Sequence, residues 1–185
     1  PILVTVTTGL RRGELLALKW SDIDLKNAVL TVQRSVEQVG KQLSFKQPKS
    51  AKGRRQIALP QTTVEALRSH RARQARDRLL MGAAYEDTDL VFARGDGTLW
   101  RPEQFTDSYR RFAKKAGFGR VRFHDLRHSH ASQLLVEGVH PKVVSERLGH
   151  SSVSITLDVY SHVLPGLHED AAAKIDAALK SGLKQ

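Results

Sequence analysis

Apolar residues recur at helical intervals through most of the chain and alternate only in short early stretches. Leu10, Leu15 and Leu18 have helical spacing after a break at Gly9, and Ser21-Asp22 reads as the turn that follows. The opening residues 1–6 read as the middle of a helix or strand cut from a longer chain, and the missing start Met fits a fragment. Residues 28–33 are β-branched and partly alternating, which predicts a strand; 41–46 and 55–59 predict a second and a third, with Ile57 and Leu59 on one face.

Helices dominate from there. Residues 60–81 form one, with Thr62 or Thr63 as its cap and Val64, Leu67, Leu79 and Leu80 as its apolar positions. After a short strand at 90–92 and a tight Gly95-Asp96-Gly97 turn, residues 102–117 predict a helix that buries Phe105, Tyr109, Phe112 and Ala113. Three more follow at 124–137, 141–148 and 152–160, the first two closed by Gly138 and Gly149, the third capped by Ser152 or Ser154. Pro165-Gly166 breaks the chain before a last helix, 167–183, with Leu167, Ala171, Ile175, Leu179 and Leu183 four apart. The expected fold is α+β: one mainly helical domain over 1–185 with a small three-stranded antiparallel sheet.

Composition narrows the function. With 185 residues, 40% hydrophobic and 26% charged, the chain can bury a real core. No apolar run approaches the roughly 20 residues that span a bilayer, and the opening lacks a basic leader. The absence of cysteine excludes disulfides, thiolate nucleophiles and Cys-based zinc sites in this segment, and is compatible with a reducing cytoplasm. A balance of 30 Lys+Arg against 19 Asp+Glu gives +11, which points to a polyanion partner through phosphate neutralisation. A basic but otherwise ordinary soluble protein is the plainer account of the same charge.

The candidate chemistry concentrates late in the chain. His124-Asp125-Leu126-Arg127-His128 places His124, Arg127 and His128 on one helical face. Two His four apart invite a metal, but the Glu of the His-Glu-x-x-His motif is missing and Arg127 puts a fixed positive charge between them. An oxyanion suits that face better, because a guanidinium fork matches phosphate oxygens. Leu148-Gly149-His150 follows, then Tyr160. A free phenol has a pKa of about 10, so Tyr160 becomes a nucleophile only where cations lower the cost of its deprotonation; otherwise it is a packing residue.

More positive charge must come from elsewhere. Arg11 follows a Gly at a turn, and Glu14 lies three residues on, placed to orient it. Arg12 points elsewhere, to solvent or a backbone phosphate. Residues 46–55 hold five Lys or Arg in ten, in a Pro- and Gly-bearing turn that either is a solvated loop or carries a Lys into a groove. The basic run His70–Arg78 reads as a solvated helix face.

Taken in order, these residues resemble the tyrosine recombinases, the phage integrase family, over nearly the whole chain. Thr8-Gly9-Leu10-Arg11-Arg12-Gly13-Glu14-Leu15 is similar to the first-arginine box. Pro48-Lys49-Ser50 followed by Arg54-Arg55-Gln56-Ile57-Ala58-Leu59-Pro60 resembles the hairpin of the catalytic lysine. His124–His128 resembles the His-x-Leu-Arg-His box, and Leu148-Gly149-His150 with Tyr160 resembles the Leu-Gly-His box and the nucleophile.

The resemblance implies roles. Tyr160 attacks the scissile DNA phosphate, giving a 3′-phosphotyrosyl link and a free 5′-hydroxyl. Arg11 and Arg127 grip the non-bridging oxygens, His150 adds a donor, His124 assists proton transfer at the tyrosine, and Lys49 protonates the leaving 5′-oxygen. Lys52 lies in the same turn and is the alternative lysine; the Pro-Lys-Ser context favours Lys49. His128 and His162 take supporting roles at most. No metal or cofactor is implied, since the tyrosyl bond conserves the phosphodiester energy. The implied partners are double-stranded DNA and further copies of the protein in a tetrameric synapse, with no membrane, in the bacterial cytoplasm at the nucleoid. The final helix, 167–183, resembles a segment exchanged between protomers.

The departure from the family pattern is at the front. Members carry N-terminal DNA-binding modules that this chain lacks, so weak DNA affinity and poor recombination are expected of it alone. Two other readings use the same residues: a type IB topoisomerase-like enzyme that relaxes supercoils, and a non-catalytic DNA-binding regulator. The short spacing from Leu-Gly-His to Tyr160 favours recombinase over topoisomerase, and groove reading needs no Tyr among phosphate ligands.

Overall fold

The structure is a computed structural model that describes residues 1–40, 42–47 and 53–163, with the backbone alone at 160–163, and the helical positions 172–173, 175–176 and 179–180 beyond. Helix α1 (Ile2–Thr8) ends at Gly9, whose φ of 68° is a left-handed cap. A Cβ at Gly9 would stand 2.4 Å from Leu148 Cδ2 and 2.8 Å from the His130 ring, so glycine here also permits a close approach. The short α2 (Arg12–Leu16) follows at once and buries Leu15 and Leu16.

The strands form two sheets. β1 (Ile23–Asp24), β2 (Val29–Val32) and β5 (Arg55–Ala58) form an antiparallel sheet in the order β1-β2-β5. β3 (Ser35–Val39) and β4 (Gln42–Lys46) form a separate hairpin with Val36 opposite Phe45. The expected small antiparallel sheet is present, but its membership differs. The predicted strand at 41–46 pairs with β3, a strand whose mixed polar sequence hid it, and β1 supplies the third place. The predicted strand at 90–92 reduces to one bridge between Lys19 and Leu90.

α3 (Gln61–Met81) starts from Pro60, and neither threonine caps it; Thr63 is buried and donates to Thr7 Oγ1. Val64 and Leu67 enter the core, but Leu79 and Leu80 are 82% and 80% exposed because the last turns run past the body of the fold. In α4 (Pro102–Lys115), Phe105, Tyr109 and Ala113 are buried as expected, whereas Phe112 is exposed. Phe105 and Tyr109 meet Phe123 edge-on at 5.0 and 5.2 Å between ring centres.

α5 (Asp125–Val136), α6 (Pro141–Leu148) and α7 (Ser154–Val163) pack on one another. Ala131, Leu135, Val144 and Leu148 form their own small core, and α5 lies against α1. That last contact brings the start of the chain beside its two late boxes. Most of 164–185, and with it the predicted exchanged helix, lies outside the described residues. No described helix is long and apolar enough to cross a membrane.

Candidate active site

Three distant segments meet at the C-terminal turn of α6. Arg11, the residue that opens α2, donates from Nη2 to the Gly149 carbonyl at 2.8 Å. Arg127, on α5, donates to the Leu148 carbonyl at 2.8 Å and to the Gly9 carbonyl at 2.6 Å. His150 leaves the turn and places Nδ1 2.8 Å from Thr156 Oγ1, which ties it to the first turns of α7. The left-handed Gly149, at φ 66°, makes that turn possible.

Glu14 holds the front of the site. Its carboxylate accepts from the Arg11 backbone N–H at 2.8 Å and from Arg11 Nη1 at 2.9 Å. It also accepts both terminal nitrogens of Arg55, at 3.0 and 2.9 Å. Burial pushes the Glu14 carboxyl up, but the hydrogen bonds and charges of Arg55 and Arg11 outweigh it and hold it below the usual range. The expected orienting role of Glu14 is therefore visible in its contacts, with a second arginine the sequence reading did not single out. Arg55 Nε donates to the Arg147 carbonyl at 2.7 Å, which anchors β5 to α6.

Electrostatics separate the members of the cluster. Arg127 is 4% exposed, and burial, with the charges of Arg11 and Arg55, pushes its pKa down to about 9. It remains cationic at neutral pH. Burial followed by the charges of Arg127, Arg11 and Arg55 pushes His150 down to about 4, so it is neutral there. His124 is lowered first by burial, then by His128 and Arg127.

The shared face expected for His124, Arg127 and His128 divides. The two imidazoles stay exposed and meet edge-on at 4.8 Å, while Arg127 turns into the protein. His124 opens α5 and lines a cleft of about 720 Å³ with Arg11, Arg12, Arg110, Lys114, Arg120 and Arg122. Among the described residues that line this cleft there is no carboxylate. Arg11 also lines a second cleft of about 420 Å³ that contains His150, Glu14 and, from the two sides of the basic turn, Gln47 and Gly53. Arg11 thus stands where the two clefts adjoin, its side chain 42% exposed. Arg12 donates to Thr106 Oγ1 at 2.7 Å at the rim of the larger one.

Of the expected site residues, then, Arg11, Arg127 and His150 come together directly, and His124 faces the neighbouring cleft. Tyr160 is a position in α7, four residues after Thr156, and its side chain lies outside the described part. Lys49 and its alternative Lys52 also lie outside the described residues, between β4 and β5. Residues the sequence reading passed over are Arg55, Arg147, His130 and Thr156. Arg55 had a signal: it shares the inward parity of Ile57 and Leu59 along β5. His130 had one too, three residues after Arg127 and next to Ala131 on the face of α5 that packs inward.

Comparison with known proteins bears on the family and the fold. Residues 2–166 match the phage integrase family, and the chain belongs to that family. It is 37% identical over 175 residues to a tyrosine recombinase XerC-like protein of Caldanaerobacter subterraneus subsp. tengcongensis, a match covering 88% of this chain and 45% of that protein. It is 33% identical over 178 residues to the ICEBs1 integrase of Bacillus subtilis, covering 95% of this chain and 48% of that one. The chain therefore spans about half the length of the curated relatives it matches. Its fold is that of the Tn1549 transposon integrase solved with transposon right end DNA, with a TM-score of 0.80 at 22% identity over 95% of this chain and 57% of that one. XerA recombinase is similar at 28% identity with a TM-score of 0.67, over 92% of this chain and 55% of the other.

Proposed function

We propose that this domain is the catalytic part of a site-specific DNA recombinase that cuts and rejoins DNA through Tyr160. The observation that carries the reading is the meeting of Arg11, Arg127 and His150 around Leu148-Gly149, from segments as far as 138 residues apart. That ring of donors suits the non-bridging oxygens of a phosphodiester, and the adjoining cleft, lined by Arg12, Arg110, Lys114 and Arg120, suits the flanking backbone.

In this reading the Tyr160 oxygen attacks phosphorus, the P–O5′ bond breaks, and a 3′-phosphotyrosyl link forms. His124 helps remove the phenolic proton, and Lys49 delivers a proton to the departing 5′-oxygen. Arg11 and Arg127 stabilise the charge that builds on the equatorial oxygens. In this reading neutral His150 still donates: Nδ1 accepts from the Thr156 hydroxyl, 2.8 Å away, and the ring proton is on Nε2. A bound phosphate would also raise the depressed His150 pKa, since its charge offsets that of the arginines. Attack by a 5′-hydroxyl from a second duplex reverses the step, so no external energy source enters. Assembly of several protomers on paired DNA, with exchange of the segment 167–183, belongs to the same proposal, as does action at the bacterial nucleoid.

The test uses full-length protein and a pool of nicked duplexes of randomised sequence, with covalent adducts captured in detergent. Wild type is expected to yield a DNA adduct, and Tyr160→Phe to lose it by at least about a thousandfold, as expected when a covalent nucleophile is removed. Adduct formed equally by Tyr160→Phe would move the nucleophile elsewhere; no adduct with wild type on any duplex would favour a binding protein without cleavage.

A further inference from the structure

Behind the phosphate-facing side chains lies a second tier that no proposed step uses. His130 is 7% exposed on α5 and accepts from Arg147 Nε at 3.1 Å through Nε2. Its ring proton therefore sits on Nδ1. Arg147, the residue before Leu148-Gly149-His150, donates from Nη2 to the Thr7 carbonyl at 2.9 Å and to the Ala58 carbonyl at 3.1 Å. Arg127 takes the Gly9 carbonyl.

The Thr7 and Gly9 carbonyls, at the end of α1, are thus held by side chains from α6 and α5. A helix C-terminus leaves these carbonyls without intrahelical partners and carries partial negative charge, so cations suit it. Arg11 begins two residues after Gly9. Its position relative to Arg127 and His150 depends on where α1 ends, and His130 with Arg147 sets that point. The contact is tight: Gly9 has no room for a methyl group against Leu148 and His130.

We infer that His130 and Arg147 are a positioning pair, which clamps the end of α1 to α6 and thereby sets the Arg11–Arg127–His150 geometry. Neither touches the phosphate. The part of this inference that concerns catalysis rests on the reading of Proposed function; the clamp itself does not. Three contacts leave from the Arg147 guanidinium to three elements, α1, β5 and α5. A displacement of about 1 Å in a catalytic group can cost on the order of a hundredfold in rate.

The first measurement is hydrogen–deuterium exchange on the full-length protein, which needs no catalysis. Arg147→Ala and His130→Phe are expected to lose protection at Leu10–Leu16 while β2 and α4 keep theirs. Unchanged protection at Leu10–Leu16 would overturn the clamp, and so would a uniform loss across the fold, which marks a general structural role. The second is single-turnover cleavage at saturating DNA, on a duplex recovered from the nicked pool. Arg147→Ala is expected to cleave about ten- to a hundredfold more slowly with DNA affinity within about threefold of wild type, and Arg147→Lys to recover part of the rate. Parallel loss of affinity and rate, an unmoved rate in Arg147→Ala, or a slowed rate that Arg147→Lys does not partly restore would each sink the positioning role. If wild type gives no adduct, the recombinase reading fails and the exchange experiment still decides the clamp.

Discussion

Arg55 and Arg127 are 8% and 4% exposed, and their guanidinium groups are bonded to Glu14 and to backbone carbonyls. Arg12, Arg110 and Arg120 stand exposed around a cleft whose described lining has no carboxylate. All five count equally toward the net charge, yet their physics differs. The interior arginines are desolvated, and their bonds tie chain segments together; Arg127 uses two of its five N–H groups on carbonyls, which leaves others for a phosphate. Those at the rim keep their hydration and bind little of the protein, which leaves them to meet an external polyanion. Arg11 belongs partly to each set, bonded to Glu14 and Gly149 on one side and open to two clefts on the other.

The comparison is most exposed to failure at Glu14. Glu14→Ala leaves Arg55 buried without its partner and is expected to destabilise the fold by about 3–5 kcal/mol, read from urea unfolding. A loss below about 1 kcal/mol would mean that the interior tier is no more structural than the rim.

His130 gives the next effect, through pH. Burial, followed by the charge of Arg147, holds its pKa down at about 4, against 6.5 in the unfolded chain. Above 6.5 both states are neutral there and stability is complete. As pH falls from 6.5 toward 4 the unfolded chain takes up a proton that the fold refuses, so stability declines across that window and no further below it. The loss attributable to this group is on the order of 3 kcal/mol. His130→Phe should show a stability–pH profile flatter by that amount; His150 titrates with the same sign and remains in both proteins.

The smallest effect on stability is expected at the rim. Lys114→Gln and Arg120→Gln should each shift stability by less than about 0.5 kcal/mol. In the full-length protein each should also make the slope of log affinity against log salt shallower by about one, measured by fluorescence anisotropy on duplex DNA. Unchanged slopes would remove the large cleft from the DNA path.

Much of the fold was legible because periodicity and capping are local. The helices 102–117, 124–137 and 141–148 are found within two residues of expectation, and Gly9 and Gly149 do close turns in the left-handed region. The failures share a cause. Leu79, Leu80 and Phe112 have the spacing of buried residues, but burial requires a facing element and none of the described elements covers them. The strand at 35–39 was missed because a hairpin lying partly at the surface need not alternate cleanly, and its pairing partner was instead assigned to the wrong sheet.

By itself the sequence determined the family and the order of its boxes, since spacing along the chain carries those. It also placed Arg11 beside Glu14, because three residues apart on a helix are neighbours in any fold. Only the tertiary structure decided that Arg127 faces inward while His124 and His128 face out, and that Arg55 completes Glu14. Only it showed that Arg147 and His130 hold the end of α1. Each of those depends on contacts between segments tens of residues apart, and which cation is desolvated follows from where packed elements meet, which no local pattern encodes.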